Sequence, residues 1–195
     1  MENATSESRQ NLIRVAQGET PGESLEPLPE PVLALLLKLD APLRLVAHLR
    51  AVHHVAGGLL RELEGLGEVD REAILFGAAT HDVGKIRQPE ELHRSGTLHE
   101  ESGYRLLLQE GFPENLARFA RTHASPSRGT GLEDLLVALA DKLWRGRRDG
   151  DLESQLAERL RGEREPWESF LALDEVCERL AERGPERLAF QNQFA

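Results

Sequence analysis

In Phe76-Gly-Ala-Ala-Thr-His-Asp-Val-Gly-Lys85, an apolar helical turn ends in an adjacent imidazole and carboxylate. Burying such a pair is expensive unless a cation meets it. His81 and Asp82 offer one neutral nitrogen and one anionic oxygen, the mixed set that suits zinc, iron, manganese or nickel. Just upstream, Asp70 can cap a helix that carries Ile74, Leu75, Ala78 and Ala79 and ends near His81-Asp82. Gly84 then reads as a left-handed terminator.

Outward from this stretch, the pattern is helix after helix. Pro31 to Leu39 is one, and Ala41 to about Glu64 is the next, with Asp40 as cap and Pro42 in its first turn. Gly65 to Val69 reads as a turn. Thr97-Leu-His-Glu100 has the form of a capping box and opens a helix to about Glu110. Pro113 starts another, with Leu116, Phe119, Ala120 and His123 on one stripe. Leu132 to Trp144 is apolar on nearly every side, which places it centrally. Two amphipathic helices follow, one carrying Leu152, Leu156 and Leu160, the other Trp167, Phe170, Leu171, Val176 and Leu180. The Trp167 helix is expected as core packing or as a cover over the bundle. With no strand alternation, the expectation is an all-α fold: a single helical domain over residues 31–190, its metal-binding core at about 43–148 and its C-terminal helices at 151–190. Residues 1–30, rich in Glu, Ser, Pro and Gly, read as a disordered leader.

The chain has 195 residues, room for one domain with a real core. A net charge of −10 argues against nucleic acid or an anionic membrane as partner and favours a small molecule. Cys177 is the only cysteine, which rules out an intrachain disulfide and a cysteine metal site and fits a reducing compartment. No apolar stretch reaches the roughly 20 residues of a membrane span. The expected location is the cytoplasm.

The remaining metal donors recur at buried helical positions. His48 shares a stripe with Val52, Ala56 and Leu59. His99 lies in the first turn of its helix with Gly103 one turn later, where a missing side chain lets another helix or a ligand approach. His123 ends the Leu116 stripe, and Asp141 lies near the end of the most apolar helix, where it needs a cationic partner. Four imidazoles and two carboxylates exceed what one tetrahedral ion requires. They suit two metals with Asp82 as the bridge, a pair able to lower the pKa of water and clamp phosphoryl oxygens.

In this order, His48, His81-Asp82, His99, His123 and Asp141, the residues resemble the HD-domain metal-dependent phosphohydrolases, in particular the dinuclear branch. The resemblance covers roughly Leu43 to Arg148 and is carried best by Gly77-Ala-Ala-Thr-His-Asp-Val-Gly-Lys85 and Leu139-Ala-Asp-Lys142. It implies an HD-type helical bundle in which those six residues are the metal ligands. The ions are divalent, two per chain, drawn from Fe, Mn, Mg, Ni or Zn. Asp82 orients the nucleophile or bridges the ions, and Lys85 contacts a substrate phosphate or charged leaving group. The implied activity is that of a phosphomonoesterase or phosphodiesterase on a nucleotide-like or other small phosphorylated substrate. The branch that hydrolyses cyclic di-GMP adds a second His beside the counterpart of His123, then Gly-Tyr-Pro. Thr122-His-Ala-Ser-Pro-Ser-Arg-Gly-Thr130 has neither, so that substrate is not implied. The myo-inositol oxygenase branch uses the same ligand order for two irons, which leaves a diiron oxygenase as an alternative. A non-catalytic metal-binding regulatory protein is a third.

Other residues have rival roles. His53, on a stripe with Val46, Leu49 and Leu60, competes with His48 as first ligand, and His48 is preferred because Val52 and Ala56 after it resemble the family's helix. His54 is expected on the surface, and His93 is expected as a surface residue or substrate contact. Gly57-Gly58 inside a helix implies close packing against a neighbour. Lys142, Arg145, Arg147 and Arg148 are either favourable charge at a helix C-terminus or a phosphate-binding rim beside Asp141. Specificity is assigned to the loops at Ile86 to Gly96 and Ala124 to Gly131.

Overall fold

The computed structural model describes residues 2–63, 69–124 and 129–194. Among them the regular structure is entirely helical: α1 (Glu2–Gln17), α2 (Glu30–Lys38), α3 (Leu43–Glu62), α4 (Arg71–Thr80), α5 (Leu98–Gln109), α6 (Glu114–Ala117), α7 (Phe119–Thr122), α8 (Leu132–Leu143), α9 (Gly150–Leu160), α10 (Pro166–Glu182) and α11 (Gly184–Asn192). Two 3-10 turns, Val83–Ile86 and Pro89–Leu92, lie between α4 and α5. The helices form a single bundle, as expected. The turn read at Gly65 to Val69 falls largely outside the described residues, as do residues 125–128 of the second specificity loop.

Helix α3 is the axis of the bundle because apolar or small residues cover almost all of its circumference. From Leu45 to Leu60 nearly every residue is buried. It packs against α1, α4, α8, α10 and α11. Gly58 admits α10, since a Cβ there would lie 2.7 Å from Leu180 Cδ2, and Gly57 makes room for the Glu26 carboxylate. Helix α8 is sealed from Leu135 to Ala140 and contacts both α3 and α4, the central place its composition called for. A second layer forms beside this core, with α5 packed on the Val83–Ile86 turn, α6 and α7.

The N-terminal segment has more structure than its composition suggested. Leu12, Val15 and Ala16 of α1 are buried, and Leu25 and Leu28 follow them into the core. The polar anchor is Arg50 of α3. Its buried guanidinium donates to Val15 O at 2.8 Å, Gly18 O at 2.7 Å, Leu25 O at 2.6 Å and Glu26 O at 3.1 Å. Burial lowers its pKa to about 10, and four carbonyls replace the water it has lost. His54, expected on the surface, is instead largely buried: Glu23 lies 3.1 Å from its Nε2, and its Nδ1 accepts from Glu26 N. Glu23 also pairs with the fully buried Arg187 at 2.9 Å, tying the segment to α11.

At the other end, α10 buries Leu173, Val176 and Cys177 but leaves Trp167, Phe170 and Leu171 exposed. The first turn of that helix therefore does not pack into the core as expected. Gly84 also differs from expectation: it is not among the glycines with positive φ. It is required by proximity, since a Cβ there would lie 2.0 Å from His99 O and 2.5 Å from Gly103 N. Gly103 answers it from α5, and the two glycines bring the 3-10 turn and α5 into backbone contact.

Candidate metal centre

Five separate elements deliver donors to one cavity. Helix α3 carries His48, and the C-terminal end of α4 carries His81 followed by Asp82. His99 stands on α5, His123 closes α7, and Asp141 stands on α8. His48, His81, Asp82, His99 and His123 are buried, while Asp141 is half-buried at the cavity wall.

The helix backbone orients two of the rings. His81 Nδ1 donates to Ala78 O at 3.0 Å and His123 Nδ1 to Phe119 O at 3.2 Å, so each turns Nε2 toward Asp82. His48 stands edge-on to the Trp144 ring, centroids 4.8 Å apart. His99 is held by a residue that sequence inspection passed over. Glu91 Oε2 accepts from His99 Nδ1 at 2.6 Å and from its backbone N at 3.0 Å, while Oε1 accepts from Leu98 N at 3.1 Å. Glu91 therefore caps α5 and fixes the His99 ring at once. Thr97 makes no side-chain cap bond, which overturns the expected capping box. The nearer carboxylate wins because the 3-10 turn at Pro89–Leu92 folds it beneath the helix start, where Gly96 leaves room for it.

Asp82 is the meeting point. Its Oδ2 lies 3.0 Å from His48 Nε2, 3.7 Å from His81 Nε2 and 2.5 Å from Lys85 Nζ. Its Oδ1 lies 3.0 Å from His99 Nε2 and 3.5 Å from His123 Nε2. Asp141 Oδ1 is 3.5 Å from His48 Nε2 and 3.4 Å from His81 Nε2. Two groups of donors result, His48–His81–Asp82 and Asp82–His99–His123, each with atoms close enough to hold one ion and with Asp82 in common.

These residues fit divalent metal. His48 Nε2 and His81 Nε2 face each other at 3.2 Å, a repulsive approach of two lone pairs unless a proton or cation intervenes. Asp82 Oδ1 and His99 Nε2 are both buried without a hydrogen-bond partner although only 3.0 Å apart, because they are not aligned on each other. Unsatisfied buried polar atoms of this kind call for a missing partner.

The charges agree with that fit. Burial is the largest influence on Asp82 and pushes its pKa up, yet the His81 charge and the close His123, His48 and His99 rings hold it well below the usual carboxylate range. Asp141 is likewise lowered, burial being outweighed by His81 and His48. Burial pushes both His48 and His81 down. It prevails at His48, while the Asp82 and Asp141 charges carry His81 upward. Both carboxylates are thus favoured in their charged form while His81 holds a proton more readily than a free imidazole, a proton that metal entering the centre must displace.

All six expected donors converge. His53 does not join them. It is buried, and burial lowers its pKa to about 4, with Glu26, His54 and Arg50 as its nearest charges on the far side of α3. Lys85, His93, Arg145 and Arg147 line the same cavity, as do Arg44, Arg94 and Trp144, which sequence inspection had not linked to it. Lys142 and Arg148 do not line it. Arg148 instead pairs with Glu153 and Asp174.

A family model described as HD domain matches residues 45–146, more than half of the chain. No curated protein and no solved structure matched. Among the described residues no helix is long and apolar enough to cross a membrane.

Proposed function

The chain belongs to the HD-domain family, whose metal-dependent phosphohydrolase-type activity its intact His and Asp cluster supports, and we propose that it hydrolyses a small, nucleotide-like phosphorylated substrate at a two-metal centre. One observation carries this: the two carboxylate oxygens of Asp82 face two different histidine pairs, His48 and His81 on one side, His99 and His123 on the other. His48, His81, Asp82 and Asp141 would hold one ion, and Asp82, His99 and His123 the other. Divalent ions so held supply positive charge for phosphoryl oxygens and a lowered pKa for water.

The protein's own groups prepare the rest. Asp82 holds Lys85 Nζ at 2.5 Å on the cavity wall, where the ammonium can meet a phosphoryl or leaving oxygen. Trp144 and Leu92 give the cavity apolar surface, which limits water and strengthens the charge interactions within it. Glu91, through His99, keeps one ring aimed at Asp82 without touching substrate.

Hydrolysis of p-nitrophenyl phosphate, with Mn, Ni, Mg or Fe(II) added anaerobically, tests this directly. The expected result is metal-dependent release of nitrophenol with no oxygen demand. Asp82→Ala should reduce it by roughly two orders of magnitude or more with the helical circular dichroism retained. Activity insensitive to Asp82→Ala, or turnover that requires oxygen uptake with iron alone, counts against hydrolysis. The second outcome points to the oxygenase chemistry that shares this ligand order.

A further inference from the structure

One side of the cavity is closed by a helix that lies outside the segment matched by the family model. That segment ends at residue 146, whereas α11 spans Gly184–Asn192 and contributes Leu188 and Gln191 to the cavity wall. Its placement is firm. Arg187, buried in its middle, donates through Nε to Trp144 O at 2.7 Å and through Nη2 to Leu143 O at 3.2 Å, which ties α11 to the last carbonyls of α8. Gly184 meets Gly146 backbone to backbone, since a Cβ on it would lie 2.2 Å from Gly146 N. Asn192 accepts from Arg44 Nη1 at 3.2 Å.

One side chain of this helix is left over. Gln191 is only 9% exposed, yet its carboxamide makes no hydrogen bond among the described residues. A buried amide without a partner is costly, and the fold does not call for one here, because Arg187 and Asn192 already fix the helix. Gln191 lines the cavity, where a ligand can supply the missing bonds. A carboxamide presents an acceptor and two donors in one plane. Its complement is a planar group with a donor beside an acceptor, as on the edge of a nucleobase, which glutamine can bond in pairs. Leu188, three residues earlier on the same face, and Trp144, whose carbonyl holds α11, add apolar surface to the same wall. Such surface suits the face of a flat ring and not a polyol, whose hydroxyls need partners on every side. Trp144 also stands 4.8 Å from the His48 ring, centroid to centroid, so the apolar wall runs on to the metal centre. The cavity, about 530 Å³, has the size of a small-ligand site.

Resting on the phosphohydrolase reading for the reacting end, we infer that Gln191 is a specificity residue that bonds the edge of a nucleobase. The substrate is then a nucleotide, with its base against Gln191, Leu188 and Trp144 and its phosphoryl group at the His and Asp centre.

Calorimetric titration of the metal-loaded protein with nucleoside phosphonates, in which a P–C bond replaces the scissile P–O bond, tests this apart from catalysis. The ligands are those of adenosine, guanosine, cytidine and uridine, together with the ribose phosphonate that lacks a base. At least one nucleoside ligand should bind roughly tenfold more tightly than the ribose ligand. Gln191→Leu keeps the bulk and removes the amide, so it should erase most of that advantage without weakening the ribose ligand. Gln191→Glu keeps the shape and loses the donors, so it should change the order among the four bases. Equal affinity for all the ligands, an advantage that survives Gln191→Leu, an order unchanged in Gln191→Glu, or a parallel loss of every ligand with the helical circular dichroism retained overturns the assignment. The last outcome makes Gln191 a structural residue only. A base preference that depends on Gln191 in a protein that fails to hydrolyse p-nitrophenyl phosphate keeps the assignment and sinks the phosphohydrolase reading instead.

Discussion

The two halves of the centre are supported in different ways. His48, His81 and Asp141 stand on α3, α4 and α8, three helices that pack on one another in the core. His99 and His123 stand on α5 and α7, which pack together, α5 also against the 3-10 turn and α7 against α4 and α8. The first half draws its geometry from extensive apolar burial. The second adds to the burial of Leu106, Leu107, Phe119 and Ala120 a few local devices: the Gly84–Gly103 backbone contact, the Glu91 cap and the Phe119 carbonyl behind His123. The His48–His81–Asp141 side is thus placed by the core helices themselves, whereas the His99–His123 side has dedicated local support as well. The second half is the one that point changes should dismantle selectively.

Gly84→Ala should strike hardest. Its Cβ would meet the backbone of α5 at 2.0 Å, so the helix must retreat and carry His99 with it. Loss of the ion held by His99 and His123 is expected by elemental analysis, with the other ion kept. Melting by circular dichroism should show a Tm lower by about 4–8 °C, from roughly 2 kcal/mol of overpacking.

Lowering the pH should weaken both halves, because each contains one histidine with a raised pKa. At His99 burial pushes the value down, but Asp82 and Glu91 outweigh it; at His81 Asp82 and Asp141 do the same. In the metal-free protein the stability from these imidazolium groups is fully present below the ordinary value of about 6.5 and is lost as pH rises through the raised ones. Metal must displace those protons, so its binding follows the opposite course. Competition titrations should find metal bound at least about tenfold more weakly near pH 6 than near pH 8. An affinity flat across that range would remove protonated His81 and His99 from the account.

Glu91→Gln separates the halves more gently. It keeps the side-chain shape but removes the charge behind His99, so affinity for the second ion should fall by roughly 10–100-fold while the first is unchanged. Equal weakening of both ions would make Glu91 a general structural residue. The smallest effect is expected at His53→Gln. Burial already holds His53 neutral, with a pKa of about 4, so metal content should not change.

Much of the centre was legible in the chain because its donors occupy helical positions that the apolar pattern marks as buried. A His or Asp in such a stripe demands an explanation, and six of them share one. Glu91 escaped because it lies in an irregular stretch and acts on amides seven and eight residues away, a distance that no periodicity reports. The docking of the N-terminal segment escaped for a related reason. Its anchor is Arg50 on α3, and a basic residue in an amphipathic pattern reads as solvated until a set of carbonyls is seen around it. Arg44 was overlooked likewise, whereas Arg145 and Arg147 stood out only through their clustering after Asp141.

Metal content per chain decides the central claim that Asp82 joins two ion sites of unequal support. Elemental analysis should give about two ions in the parent and about one in His99→Ala and in His123→Ala, each variant retaining the ion held by His48, His81, Asp82 and Asp141. One ion in the parent, unaffected by either substitution, would contradict it and leave His99 and His123 outside the centre.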